Sequence, residues 1–298
     1  MVAIPHKPYL EQVDPPRSPR ETLPTMYDLP SESPEEPGLP DEFHDLQPQL
    51  LSRTLRLSDY SRDNCFTASD LNLYYDVNHP LWYKRPDWFL AVDVPRLYDG
   101  KELRRSYVVW QEGNSPSVVI EFLSPGTDAE DLGRFCNLTI VANDMSERAQ
   151  STPKATSRDA TSPPTKLDVY ERYLRVPHYF VYNRYGPQLR YFRLDGGLYQ
   201  EQLLDSQNPI AWLADLEIGL GIWQGVFEGI AGYWLRWCDR SGNWFLTDTE
   251  QAQLSTEQAQ ARLLQAARNL LATGMEITQV AHLLGLSELQ LQALQSTD

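Results

Sequence analysis

The stretch PSVVIEFLSPG (residues 116–126) decides the fold. Val118-Val119-Ile120 is an unbroken apolar run of the kind that fills a central strand buried on both faces. Pro116 and the Ser-Pro-Gly turn bound it, and it ends on Glu121, a carboxylate delivered to the margin of a core. Outward from it, CFTASDLNLYYDV (65–77), RPDWFLAVDVP (85–95) and RRSYVVWQEG (104–113) are also rich in β-branched and aromatic residues and bounded by Pro, Gly or Asn. Together they predict four strands in a meander.

Phe43, Leu46, Leu50, Leu51, Thr54 and Leu55 recur at three-to-four spacing, which predicts an amphipathic helix starting near Asp41 and interrupted or kinked at Pro48. TKLDVYERYLRV (165–176) predicts a second helix, capped by Thr165, with Leu167, Tyr170, Tyr173 and Leu174 on one face. VPHYFVYNRYGPQLRYFRLDGGLYQEQLL (176–204) then predicts three strands with turns at 183–187 and 195–197. The Trp- and Gly-rich stretch 213–248, with its Ser-Gly-Asn turn, predicts a hairpin on the edge of the main domain.

Three segments fall outside this frame. Residues 1–40 hold ten of the 22 prolines together with an acidic run, a composition that cannot bury enough apolar surface to offset chain entropy, and are expected to form a disordered arm. Residues 135–165 lack a sustained period and are expected to be a long mobile loop. From about Ser255 the chain reads as helix, with Ala259, Leu263, Ala266, Ala267, Leu270 and Leu271 on one stripe; Val280, Ala281, Leu284, Gly285, Leu286, Leu291 and Leu294 then match a helix-turn-helix. Its second helix, ELQLQALQ, carries no Arg, Lys or Asn to read DNA, so a docking or dimerising module, joining a second copy or a protein partner, is expected over 251–298. The intervening 41–250 form the main domain.

Composition narrows the classes of function. The 298 residues carry 26 Lys+Arg against 41 Asp+Glu, a formal charge of −15, which opposes nucleic-acid binding over most of the surface. Lys84-Arg85, Arg104-Arg105, and Arg172 with Arg175 leave room for a local basic cleft. No apolar run approaches membrane-spanning length and the N-terminus has no signal-peptide core, so a cytoplasmic protein is expected. Cys65, Cys136 and Cys238 are far apart and form no CxxC pair, which excludes a disulfide framework and reads them as inert buried thiols.

The chemistry rests on carboxylates. Pro86-Asp87 opens one strand and Glu121 closes another; on neighbouring strands they converge on a hard cation such as Mg²⁺, which takes oxygen ligands and keeps waters for substrate. Lys166, at the start of the next helix, supplies the cation that orients the attacking water or steadies charge on the phosphate. Asp87 alone is an ordinary strand opening, whereas a glutamate ending an apolar run needs a partner or a solvated cleft. His44, His79 and His178 have no partner at ligand spacing, the 124–127 turn could offer backbone N–H groups to a phosphate, and Asp128, Glu130 and Asp131 read as a solvated acidic patch.

RPDWFLAVDVP, PSVVIEFLSPGT and PPTKLDVYERYLRVPHYFVYNRY, in that order, resemble the Uma-type family, placed in the PD-(D/E)XK restriction-endonuclease-like superfamily, over about residues 42–247. The resemblance implies an α/β restriction-endonuclease-like fold, a mixed central sheet flanked by helices with a C-terminal helical appendage. It also implies a Mg²⁺- or Mn²⁺-dependent endonuclease acting on DNA, with Asp87 as the PD aspartate and Glu121 as the first acid of the triplet, both metal ligands. The triplet here reads Glu121-Phe122-Leu123, with leucine where the lysine stands elsewhere, and Lys166 matches the family's displaced lysine. Asp70 is expected as a third carboxylate at the metal and Glu42 as the counterpart of the superfamily's helical glutamate. The displaced lysine and the acidic charge support a rival reading, a non-catalytic scaffold that keeps the fold for protein interaction.

Overall fold

The computed structural model describes residues 41–124, 126–139 and 163–295, so the expected arm and the centre of the expected long loop lie outside the described residues. The chain begins with α1 (Glu42–Thr54), followed by β1 (Cys65–Ala68), β2 (Leu73–Tyr74), β3 (Tyr83–Lys84), β4 (Trp88–Val92), β5 (Tyr107–Val108), a helical turn α2 (Val109–Glu112) and β6 (Val118–Phe122). Next come α3 (Asp128–Leu132), a 3₁₀ segment (Gly133–Thr139), and α4 (Lys166–Asp168), which passes directly into a π-helical turn (Val169–Tyr173). Then follow β7 (His178–Asn183), β8 (Gln188–Asp195), β9 (Leu198–Gln202), β10 (Ile210–Leu213), β11 (Ile218–Phe227) and β12 (Ile230–Cys238). Three helices end the chain: α5 (Asp248–Ala272), α6 (Ile277–Leu284) and α7 (Glu288–Gln295).

The main sheet runs β1-β4-β6-β7-β8-β9, mixed because β6 and β7 are parallel while its other pairs are antiparallel. This is the α/β architecture expected, with β6 in the interior and all five of its residues buried. The meander is not formed. The Tyr107 run gives just two residues of strand, paired in parallel with β2 in a small separate sheet, and then closes into α2. Beyond Tyr107 burial falls away: Val109 packs only partly buried against the core, Trp110 is exposed, and Gly113 caps the turn at φ +81°.

Period-two alternation sorts the main sheet into two faces. Trp88, Leu90, Val118, Ile120, Phe180 and Tyr182 enter one cluster with Leu213, Leu220, Leu235 and Trp237 of the second sheet, β10-β11-β12. The hairpin expected at the domain edge is therefore a sheet packed on this face. Phe89, Val119, Tyr179 and Val181 enter the opposite cluster, with Leu167, Tyr170 and Leu174. Glu121 shares the parity of Val119, so the strand itself turns that carboxylate toward the α4 side.

α1 runs unbroken through Pro48, which forgoes a single N–H in a buried position. Asp41 caps it by accepting from the N–H groups of Phe43 and His44. From its buried face Gln47 donates to the Leu235 carbonyl and accepts from the Leu235 N–H, both at 2.8 Å, completing backbone pairing that the edge strand β12 would otherwise lack. The Trp237 indole N–H donates to the Leu51 carbonyl at 3.0 Å.

α5 starts seven residues before the expected Ser255, because Thr247 and Glu250 form a capping box and Arg236 pairs with Glu250. The last three helices pack on Ala267, Val280 and Leu291, with Gly285 ending α6 at φ +66° as the helix-turn-helix pattern requires. Cys65 and Cys238 are buried free thiols and Cys136 is half-buried.

Gln47→Leu keeps the volume of the side chain and leaves the buried N–H and C=O of Leu235 unpaired. A loss of about 2–4 kcal/mol is expected in urea unfolding, with the far-ultraviolet spectrum of the folded state unchanged.

Candidate active site

The antiparallel register pairs Trp88 with Ile120, so the next pair along the ladder is Asp87 with Glu121. They meet as the sequence reading expected of neighbouring strands. The Asp87 N–H donates to Glu121 Oε2 at 3.3 Å, and the Phe122 N–H donates to Asp87 Oδ2 at 2.5 Å, fixing the half-buried Asp87 side chain across the strand ends. Glu121 is completely buried.

Lys166 comes from the other side. Thr165 caps α4 by accepting from the Asp168 N–H at 3.2 Å, and the Lys166 N–H donates to Glu130 Oε1 at 3.1 Å. The Lys166 ammonium lies 2.9 Å from Glu121 Oε2 and 3.3 Å from Asp131 Oδ1. The Tyr170 hydroxyl donates to the other glutamate oxygen, Oε1, at 2.5 Å. Asp87, Glu121 and Lys166 are thus gathered from three segments distant in sequence.

Asp131, expected in a solvated patch, has a buried side chain; Asp128 is exposed and Glu130 pairs with Lys84 at 2.5 Å. The cause is the close approach of α3 to the α4 segment. Gly133, at φ +47°, leaves no room for a side chain, since a Cβ there would stand 2.7 Å from Leu167 Cδ2. The Tyr179 hydroxyl donates to the Asp131 carbonyl at 2.8 Å, which ties the end of α3 to β7.

Asp70 stands apart. Its carboxylate is exposed and pairs with Arg85 at 2.9 Å, and it does not line the cavity. Glu42 is exposed on the first turn of α1 and faces a different groove, whereas His44, two residues on, lines the cavity, its Nδ1 2.9 Å from Asp41 Oδ1. His178 is remote from this site, buried between Tyr191 and Asp215. The basic stretches are largely neutralised: Arg104 forks onto Glu112, and Arg172 faces Asp168. The Ser124 N–H is taken by Thr127 Oγ1 at 3.3 Å.

The cavity, about 280 Å³, is lined by His44, Asp87, Ser124, Thr127, Asp131 and Lys166 among others. Its electrostatics follow from burying three carboxylates beside one ammonium. Burial pushes Glu121 up to about 7, with the Lys166 charge opposing and the Asp87 charge reinforcing the rise. Burial likewise raises Asp87 and Asp131 to about 6 each, again against the pull of Lys166. Burial works against the charge on Lys166, but Asp131, Glu121 and Asp87 outweigh it and hold the ammonium well above its ordinary value.

The mixed sheet, the flanking helices and the acid pair at the ends of β4 and β6 define the class as a restriction-endonuclease-like α/β protein. The family model described as "Putative restriction endonuclease", Uma2, matches residues 17–223, and the chain belongs to that family. The match covers β1 to β10 and part of β11, and so contains every residue of the cavity. No curated protein and no solved structure matches the chain.

Restriction-endonuclease-like families generally use Mg²⁺ or Mn²⁺. The donors present suit such an ion: hard carboxylate oxygens of Asp87 and Asp131 line the cavity, and buried Asp131 Oδ1 has the Lys166 ammonium at 3.3 Å as its charged neighbour. Among the described residues no three His, Cys, Asp or Glu side chains enclose a metal by themselves. Mg²⁺ is commonly held by one or two carboxylates, with water and substrate completing its shell.

The raised carboxylates set a pH dependence for the metal-free protein. Their folded-state values, about 6 to 7, lie above the ordinary 3.8 to 4.5, so the folded protein binds more protons and its stability falls as pH rises through that window. Thermal melts without divalent ions are expected to drop between pH 5 and 7.5, roughly 2–4 °C per kcal/mol lost. Glu121→Gln removes one titrating group and is expected to flatten the slope.

Proposed function

We propose that this protein is a Mg²⁺- or Mn²⁺-dependent endonuclease-type phosphodiesterase acting on DNA. The observation that carries the reading is the meeting of Asp87 and Lys166 at one cavity with Glu121 buried directly behind them, although the lysine lies 45 residues beyond the glutamate it contacts. Asp87 and Glu121 serve as metal ligands. In this reading Asp131 takes the place expected for Asp70, since its oxygen faces Lys166 while the Asp70 carboxylate is held by Arg85.

When bound, the cation polarises the phosphodiester and lowers the pKa of a water for in-line attack. Lys166 keeps its proton, because three carboxylates hold its ammonium charged. It therefore acts as a donor and not as a base, orienting the attacking water and steadying charge on the phosphate. Asp87 is kept in place by the Phe122 N–H, which spares it rotational freedom as substrate arrives. A rival reading, a scaffold without catalysis, is supported by the formal charge of −15 and by the pairing of Lys166 with two acids.

Calorimetric titration with Mn²⁺ and a plasmid-nicking assay separate the two. The wild type is expected to bind and nick, Asp87→Asn to lose both, and Lys166→Met to lose nicking by at least about 10²-fold while retaining metal. Absence of binding in a folded wild type, judged by circular dichroism, leaves the scaffold.

A further inference from the structure

Lys166 and Tyr170, four residues apart, grip the two oxygens of one carboxylate. Lys166 Nζ is 2.9 Å from Glu121 Oε2, and the Tyr170 hydroxyl donates to Oε1 at 2.5 Å, the one hydrogen bond that oxygen receives among the described residues. The tyrosine is wholly buried, and a phenol placed there without a partner would carry a desolvation penalty. Its segment leaves the α-helical repeat: Val169–Tyr173 is a π-helical turn, closed by the Leu174 N–H on the Val169 carbonyl at 3.0 Å. Such turns are rare and concentrate at functional sites, and this one buries Val169, Tyr170 and Glu171 in succession. Tyr179 packs behind the Tyr170 ring at 5.2 Å and itself holds the Asp131 carbonyl, so one aromatic pair anchors both acidic segments.

We propose that Tyr170 is a positioning residue that fixes the Glu121 carboxylate with Oε2 aimed at Lys166 and the Asp87 strand end, and thereby sets the affinity of the site for a divalent cation. The proposal rests on the metal-dependent reading above. A glutamate carboxylate pivots about a broad terminal torsion, and a donor held on one oxygen selects a single setting of it. Partners of metal-ligating side chains typically contribute 10–100-fold to metal affinity.

The experiment is a Mn²⁺ titration by calorimetry at 10 °C on the full chain, comparing wild type, Tyr170→Phe and Tyr182→Phe. The first variant keeps the ring and its contact with Tyr179. The second deletes a hydroxyl bond of the same kind, to the Tyr233 carbonyl at 2.8 Å, on the opposite face of the sheet. Tyr170→Phe is expected to bind Mn²⁺ about 10–100-fold more weakly and Tyr182→Phe as the wild type does, with native circular dichroism in each. A tyrosine with a merely structural role lowers the melting temperature in both variants and leaves the affinity alone, and that result overturns the proposal. Wild type that binds no Mn²⁺ overturns the nuclease reading and this proposal together; equal binding by wild type and Tyr170→Phe overturns the tyrosine's role alone.

Discussion

A carboxylate with no exposed surface, Glu121, lies against the ammonium of Lys166, and the surrounding structure is arranged so that neither charge is buried alone. Removing one partner of such a pair typically costs about 3–5 kcal/mol, because the other is left uncompensated in a poorly polarisable interior. The pair also draws in its neighbours. Asp87 lends its N–H, Tyr170 its hydroxyl and Asp131 a second carboxylate, and each of these is fixed by another element. The strand ladder, α3 and the α4 segment are thereby locked at one point.

Satisfying that charge leaves an imbalance. Three acids face one base, so deprotonating all of them leaves the cavity with net negative charge, and burial makes this expensive. The imbalance is unfavourable for a metal-free core and favourable for a cation that enters from solvent. Stability and ligand affinity are set against each other by the same side chains, a common condition of functional sites.

Much of this was legible in the residues, and the reasons for the failures are specific. The unbroken apolar run Val118–Ile120 identified the central strand, because only burial on both faces tolerates three successive apolar side chains there. Asp87 and Glu121 stand at strand boundaries where neighbouring strands can bring them together, and Lys166 is singled out by the resemblance to the family's displaced lysine. Asp131 was hidden because its burial depends on Gly133 meeting Leu167, a contact between segments that no local period reports. Asp70 was misleading because an acid in a β-like run resembles a site acid until its positive φ and its Arg85 partner turn it to solvent. Tyr170 was placed correctly on a buried face, yet its bond to Glu121 belongs to the tertiary structure. The second sheet reads as an edge hairpin because the sequence of a two-layer packing and that of an added strand share the same alternation.

Gln47 carries a further consequence. An edge strand with free N–H and C=O groups is a template on which another chain can add a strand, and proteins block such edges with charge, proline, bulges or a covering element. At Leu235, near the middle of β12, the side chain of Gln47 occupies both groups at once, and α1 lies along the strand. The helix that begins the described chain is thus also a guard against sheet-to-sheet polymerisation, provided by a single amide that imitates a neighbouring backbone.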